Sequence, residues 1–228
     1  MDHFDIPLRH EWKHEISAMD VLILRQRLRA VMRTDPHAKD GRYLIRSLYF
    51  DNLQDKALRE KVDGVDHREK FRIRFYNGDT TFISLEKKMK HGNMTGKLQD
   101  KITATEAERL LAGDLSWMKD ESRPVVQELY RKMATLGLRP RTIVDYTREP
   151  FIYGPGNVRV TIDEDIRTGL VRTDFLSMDC PTIPVPEAPT ILEVKWDAYL
   201  PDIIRDAVAL PGRRAAAFSK YAACRAYD

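Results

Sequence analysis

The sequence predicts an α+β fold in which about eight antiparallel strands close into a barrel, with helices packed on the outside. Three observations carry that prediction. Five segments alternate polar and apolar residues with the period of two that sends neighbouring side chains to opposite faces of a strand. Their polar faces carry long cations with a sparse set of carboxylates. Between them stand segments whose apolar residues recur at helical spacing, which can cover an apolar strand face.

The elements follow in order. Residues 8–16 (LRHEWKHEI) read as a strand. Ser17 with Asp20 resembles a capping box and opens a helix through about Arg33, with Val21, Leu24, Leu28, Val31 and Met32 on one face. Residues 43–50 (YLIRSLYF) read as a strand, followed by a short helix over 54–62 that stops near Gly64. Residues 69–77 and 80–88 predict a hairpin turning at Asn77-Gly78-Asp79. A strand over 97–103 and a helix over 106–112, capped by Thr105, come next. Ser122 and Pro124 open a longer helix that ends at Gly137. Residues 141–152, 158–165 and 190–196 read as strands, and 201–209 as a short helix. Residues 216–224 fit neither pattern clearly. Pro181, Pro184, Pro186 and Pro189 argue against a central strand between Thr168 and Pro189. No repeat or linker divides the chain, so one domain is expected across residues 1–228.

Composition excludes several classes. The 228 residues are 43% hydrophobic and 32% charged, which rules out a disordered, collagen-like or disulfide-framework chain. No uncharged apolar run of about 18 residues exists to span a membrane as a helix. The opening MDHFDIPLRHEWK lacks the apolar core of a secretory signal. Cys180 and Cys224 read as reduced thiols, and these features together predict a cytoplasmic protein. The net charge of +3 from 38 basic and 35 acidic residues gives no bulk argument for nucleic-acid binding.

Placement of the charges says more. Lys70, Arg72, Arg74 and Tyr76 share one face, opposite Phe71, Ile73 and Phe75. Ser84, Glu86 and Lys88 oppose Ile83 and Leu85; Arg159, Thr161 and Asp163 oppose Val158, Val160 and Ile162. Glu193 and Lys195 oppose Leu192, Val194 and Trp196, and Arg9, Glu11, Lys13 and Glu15 share a face of the first strand. A sheet with one solvated face accounts for any single strand. A barrel with apolar faces outward and charged faces lining the lumen accounts better for all five. Such a lumen calls for an anionic ligand, because buried unpaired cations are costly. Arginine offers phosphate a bidentate fork and lysine a point charge, while the carboxylates could hold a divalent ion that bridges phosphate oxygens.

The motifs RHEWKHEIS, RSLYFDN, FRIRFY, FISLEKK, VDYTREPF, VRVTIDEDI, ILEVKW and FSKY, in that order, resemble the VTC (vacuolar transporter chaperone) domain of polyphosphate polymerases, within the triphosphate tunnel metalloenzyme superfamily. The resemblance runs from about Arg9 to Tyr221. It implies a barrel tunnel that binds triphosphate or polyphosphate with Mn²⁺ or Mg²⁺, and transfer of the γ-phosphoryl of ATP to a growing chain with release of ADP. By the same resemblance Arg72, Arg74, Arg148, Arg159 and Lys220 grip the donor triphosphate. Lys13, Lys88 and Lys97 could guide the chain, Tyr146 and Ser219 are further ligand contacts, and Lys195, on the face of Glu193, is a candidate contact by parity. Glu193 matches the metal-holding glutamate, while Glu86 and Glu11 share the lumenal parity and could help through water. Asp163 is open between a second metal ligand and an ion-pair partner.

There are departures from the family pattern. Ala217 stands where a basic residue is common two places before the serine of FSKY, which leaves Arg213 or Arg214 as candidate substitutes. LQDKI lacks a frequent arginine, for which Lys101 could serve. No phosphate-sensing domain or membrane helix accompanies the motifs, so coupling to translocation implies a separate membrane partner. His3, His10, His14, His37, His67 and His91 are scattered, and His10 and His14 lie opposite Lys13, which argues against a zinc site. Two other readings stay open: a triphosphatase using the same tunnel, and a non-catalytic polyphosphate-binding module. A nucleic-acid binder is disfavoured, because the basic faces lack interleaved exposed aromatics.

Overall fold

The structure is a computed structural model that describes residues 8–38, 40–92, 94–213 and 215–227. Eight strands make the barrel: β1 (Arg9–Ile16), β3 (Tyr43–Asp51), β4 (His67–Tyr76), β5 (Asp79–His91), β6 (Met94–Ile102), β7 (Arg139–Tyr153), β8 (Val158–Thr168) and β10 (Thr190–Trp196). Two-residue strands β2 (Arg33–Thr34) and β9 (Ile183–Pro184) pair with β7 and β8. The helices are α1 (Ala18–Val31), α2 (Lys56–Val62), α3 (Ala104–Leu111), α4 (Pro124–Leu136), α5 (Asp202–Val208) and α6 (Lys220–Arg225). None of the described helices is long and apolar enough to cross a membrane.

Antiparallel pairing runs β7-β3-β4-β5-β6-β1-β10-β8, and β8 returns to β7, so the sheet is closed. The weakest seam is β1 with β6, which pairs only at Arg9–Thr95 and His10–Met94. Farther along, the same edge of β1 is taken by the segment before α6. Ala215 bridges to His14, and Ala216 N–H donates to the Lys13 carbonyl at 2.7 Å.

Closure turns the period-two pattern inside out, as the charged faces require. Ile73, Ile83, Leu85, Val160, Ile162, Leu192 and Val194 are fully buried on the outer face. They pack in separate clusters beneath α3 with α4 and beneath α1 with α5. Each such side chain taken from water contributes on the order of 2 kcal/mol. Local signals place the ends. Ser17 Oγ accepts from Asp20 N–H at 3.2 Å and Ser17 N–H donates to Asp20 at 2.8 Å, closing the capping box of α1. Asn77 and Gly78 both adopt positive φ (53° and 72°), the geometry that a two-residue hairpin turn needs.

Several boundaries differ from the sequence reading. α1 stops at Val31, because Met32 is already extended. The second hairpin is longer at both strands, reaching His91 and starting again at Met94. Thr103 rather than Thr105 caps α3, since its hydroxyl accepts from Glu106 N–H at 3.1 Å while the Glu106 carboxylate accepts from Thr103 N–H at 2.8 Å. Ser122 does not cap α4. Asp100, reaching over from β6, accepts from Val125 N–H at 2.7 Å and Val126 N–H at 3.1 Å and fills that role. The proline-rich stretch contributes only the two residues of β9, at the sheet margin where proline is tolerated. The ambiguous segment is irregular through Phe218 and then helical from Lys220.

Candidate functional site

The lumen holds a cavity of about 330 Å³, lined by eleven lysines and arginines and three glutamates. That volume sits at the lower end of small-molecule sites, about 300–1,000 Å³, and admits a phosphate chain while excluding a duplex. The cations are Lys13, Lys61, Arg68, Lys70, Arg72, Arg74, Lys88, Lys90, Arg148, Lys195 and Lys220, and the carboxylates are Glu11, Glu69 and Glu193.

The β4 face supplies one wall. Arg72 pairs with Glu86 (Nε 2.7 Å, Nη2 2.5 Å) and donates to the Tyr49 hydroxyl at 2.8 Å. Arg74, 3% exposed, donates to Ser47 at 2.9 Å and to the Tyr146 hydroxyl at 3.0 Å. Burial alone would raise the Glu86 carboxyl, but Arg72, Arg74 and Lys97 overcome that and hold it well below the ordinary range. Opposite stands a second group. Asp163, fully buried, accepts from Arg148 Nε at 2.6 Å, Arg148 Nη2 at 2.8 Å and Lys220 Nζ at 2.6 Å. Burial opposes its ionisation, and Arg148 and Lys220 restore it.

A third group joins β1 and β10, whose register sets Lys13 beside Glu193 and Glu11 beside Lys195. Glu193 meets Lys195 at 2.7 Å, Lys13 at 3.4 Å and Arg148 at 3.7 Å. Glu11 contacts Lys13 and meets Lys88 at 3.2 Å and Lys195 at 3.3 Å. Burial would raise both carboxyls; the surrounding lysines, with Arg148 at Glu193, hold them ionised. Burial also pulls the Lys88 amine well below its usual value, with Glu11 opposing.

The α6 entry closes one side. Ser219 lines the cavity, and its hydroxyl accepts from Ala222 N–H at 3.3 Å as the helix cap. Lys220 lies over the Tyr146 ring at 4.7 Å. The helix is anchored by Tyr221, which donates to Asp51 at 2.7 Å and accepts from Arg225 at 2.9 Å.

Of the residues the sequence nominates, the cavity lining therefore gathers Lys13, Arg72, Arg74, Lys88, Tyr146, Arg148, Lys195, Ser219, Lys220, Glu11 and Glu193. Three stand apart. Arg159 is outside the lining and pairs with Asp35 at 3.2 Å. Half-exposed Lys97 bonds to Gln99 at 2.6 Å and approaches Glu86 at 3.4 Å. Glu86 is turned onto these cations rather than onto the cavity, as the counter-ion of Arg72. Asp163 is an ion-pair partner. Arg213 does not replace the missing base at Ala217, because it pairs with Asp20 at 2.6 Å. Arg214 lies outside the described residues. Lys101 shares the strand parity but is exposed, with its ammonium over Phe82.

Sequence reading did not assign Lys61, Arg68, Lys70, Lys90 or Tyr49. Lys70 carried a signal, since it shares the face of Arg72; Lys61 sits on a helix where strand parity gives none. Lys70 lies 5.3 Å from the Tyr49 ring centroid, and Tyr49 stacks on Tyr221 at 5.0 Å. Burial pushes the Tyr49 phenol up, but Arg72, Lys70 and Arg74 outweigh it and bring it to about 7. Burial draws the Lys70 amine down to about 8. As pH rises through 7 to 8, Tyr49 gains negative charge and Lys70 loses positive charge, so both changes weaken anion binding. Metal-free tripolyphosphate should therefore bind progressively more weakly to the wild type from pH 6.5 to 9, and Tyr49→Phe should flatten the lower part of that profile. Identical profiles for the two proteins would contradict the assignment.

No group of three or more His, Cys, Asp or Glu side chains forms a metal cage among the described residues. The divalent ion implied by the sequence resemblance needs none. Mg²⁺ and ions like it are commonly held by one or two carboxylates together with ligand phosphates. Glu11 and Glu193, linked through Lys13 and Lys195, are the lining carboxylates that could offer such a donor set, with each of their oxygens now engaged by a lysine or arginine.

Comparison with known proteins bears on the family. No curated protein sequence matches the chain. Among solved structures, the bh2851 protein of Bacillus halodurans superposes with a TM-score of 0.46 at 14% identity, covering 83% of this chain and 82% of that one. The PH1819 protein of Pyrococcus horikoshii OT3 gives 0.43 at 14% identity, over 88% and 84%. A family model described as "VTC domain" matches residues 8–227, nearly the full length. The chain belongs to the VTC domain family.

Proposed function

We propose that the protein is an ATP-dependent polyphosphate polymerase, which transfers the γ-phosphoryl of ATP to the end of an inorganic polyphosphate chain and releases ADP. The observation that carries this reading is the charge imbalance of a closed lumen: with Glu86 and Asp163 of the wall counted beside the three lining glutamates, eleven cations meet five carboxylates. A compact, multiply charged anion would offset that excess within about 330 Å³.

Phosphoryl transfer asks mainly for positioning and charge stabilisation. Arg72, Arg74, Arg148 and Lys220 come from opposite walls and would hold the donor triphosphate between them, while the bond from the γ-phosphorus to the ADP oxygen breaks. The new P–O bond forms to a terminal phosphate oxygen of the acceptor chain, so no protein nucleophile is required. The Tyr146 hydroxyl accepts from Arg74 and fixes the direction of its guanidinium. Lys13, Lys88 and Lys195 neutralise acceptor charge. Arg159 and Lys97 stand beyond the cavity and would meet only a ligand longer than it. A divalent ion, held by Glu193 and Glu11, would supply further charge compensation for the phosphates.

The state of the site's carboxylates lends little support to activation of water. Glu11 and Glu193 are held ionised far below neutral pH by their cations, which makes them weak bases for activating water. The Tyr49 oxygen is occupied by Arg72. A terminal phosphate is already an anionic nucleophile. The partners are then ATP and polyphosphate, with a separate membrane protein wherever synthesis is coupled to translocation.

The test is incubation of the purified protein with ATP and Mn²⁺, with and without a short polyphosphate primer, followed by a gel stained for polyphosphate. A ladder of chains with matching ADP is expected. Orthophosphate without chains would replace the reading by a triphosphatase, and tight binding without turnover by a polyphosphate-binding module.

A further inference from the structure

The strand register brings together two histidines that the sequence separates by 24 positions. His67, the first residue of β4, and His91, the last of β5, are a directly opposed cross-strand pair. Their Nδ1 atoms are 3.0 Å apart, with ring centroids at 4.4 Å and ring planes at 83°. The rings therefore meet at their nitrogen edges rather than by stacking. Both side chains are exposed, and the next pair along the ladder, Arg68 with Lys90, lines the cavity.

We propose that His67 and His91 form a two-imidazole chelate for a borderline divalent metal ion of the Zn²⁺ class, at the rim of the tunnel and separate from the carboxylates of the lumen. The geometry is close to what such an ion needs. With Zn–N bonds of about 2.0–2.1 Å in a tetrahedron, two ligating nitrogens stand roughly 3.3 Å apart, so the rings would spread by only a few tenths of an ångström. In the neutral pair one Nδ1–H donates to the lone pair of the other. Metal binding moves that proton, through solvent, to Nε2 of the same ring, so both rings stay neutral with their Nδ1 lone pairs on the ion. Imidazole selects Zn²⁺, Cu²⁺ or Ni²⁺ over the hard cations suited to phosphate and carboxylate oxygen. Two tetrahedral positions remain for water or for an anionic oxygen.

The test is calorimetric titration of the full chain with Zn²⁺ alone, without nucleotide or phosphate, for the wild type, His67→Ala, His91→Ala and the double variant. One high-affinity ion per chain is expected, unaffected by excess Mg²⁺. Each single variant should weaken it at least about tenfold, because a chelate becomes a single ligand. Unchanged zinc binding in the double variant, no zinc binding by the wild type, or displacement by Mg²⁺ would each overturn the assignment. Circular dichroism checks that the exposed substitutions leave the fold intact. Failure here would not touch the polymerase reading, which rests on the lumen.

Discussion

Glu193→Gln is expected to abolish metal-dependent phosphoryl transfer while metal-free tripolyphosphate still binds. The carboxylate is 5% exposed and lies among Lys195, Lys13 and Arg148. The amide keeps the shape and removes one negative charge from the centre of three cations. Metal affinity falls with that charge, whereas the local potential for an anion becomes more positive. Loss of a single preorganised charge-stabilising donor, as in an oxyanion hole, costs about 10²–10³ in turnover, and loss of the metal carboxylate is placed on that scale. We therefore expect kcat in Mn²⁺ to drop by at least about a hundredfold, with a tripolyphosphate Kd measured in chelator that is unchanged or tighter. Full activity would remove Glu193 from the metal site. Loss of both activity and metal-free binding would make its role the positioning of Lys13 and Lys195.

Arg72→Ala has the second large effect and acts through two routes. The fork leaves the cavity wall, and Glu86, 1% exposed, loses its closest partner, keeping Lys97 at 3.4 Å. Breaking a buried pair by removing one member costs about 3–5 kcal/mol. We expect a lower Tm together with a tripolyphosphate Kd weakened about a hundredfold. Arg72→Lys separates the routes. It retains a charge beside Glu86 and so recovers much of the stability, but it lacks the planar fork and recovers less of the binding. Equal affinity in wild type and Arg72→Ala would take Arg72 out of the ligand contact.

Much of this site is legible in the sequence because barrel closure preserves strand parity. Once the apolar faces of β4, β5, β8 and β10 are turned outward, Arg72, Arg74, Glu193 and Lys195 have to point inward, and they do. The ladder also extends the parity to Lys70, whose lumenal position could have been read from its spacing to Arg72. What parity does not give is depth along the barrel or the choice of ionic partner. Arg159 has the right parity, yet it pairs with Asp35, which follows the short strand β2 that no alternation marks. Glu86 likewise has the parity of a ligand but is neutralised within the wall by Arg72. Contributions from outside the strands are hidden for a different reason. Lys61 reaches the cavity from α2, and Ala215 through Lys220 reach it along the edge of β1 that β6 leaves free. The caps moved where tertiary contacts outweighed local ones, as when Asp100 of β6 took over the start of α4 from Ser122. His67 and His91 became neighbours only through the β4–β5 register, which continues well beyond the alternating core of that hairpin.

The central claim is that the lumen, not an outer surface, receives a phosphoanhydride chain. Its most direct test is a crystal structure of the protein with tripolyphosphate and Mn²⁺. The account predicts a linear phosphate chain inside the barrel, with oxygens within about 3 Å of Arg72, Arg74, Arg148 and Lys220. Phosphate chains bound only outside the barrel, with the ion pairs of Asp163, Glu86 and Glu193 undisturbed across an empty lumen, would contradict it.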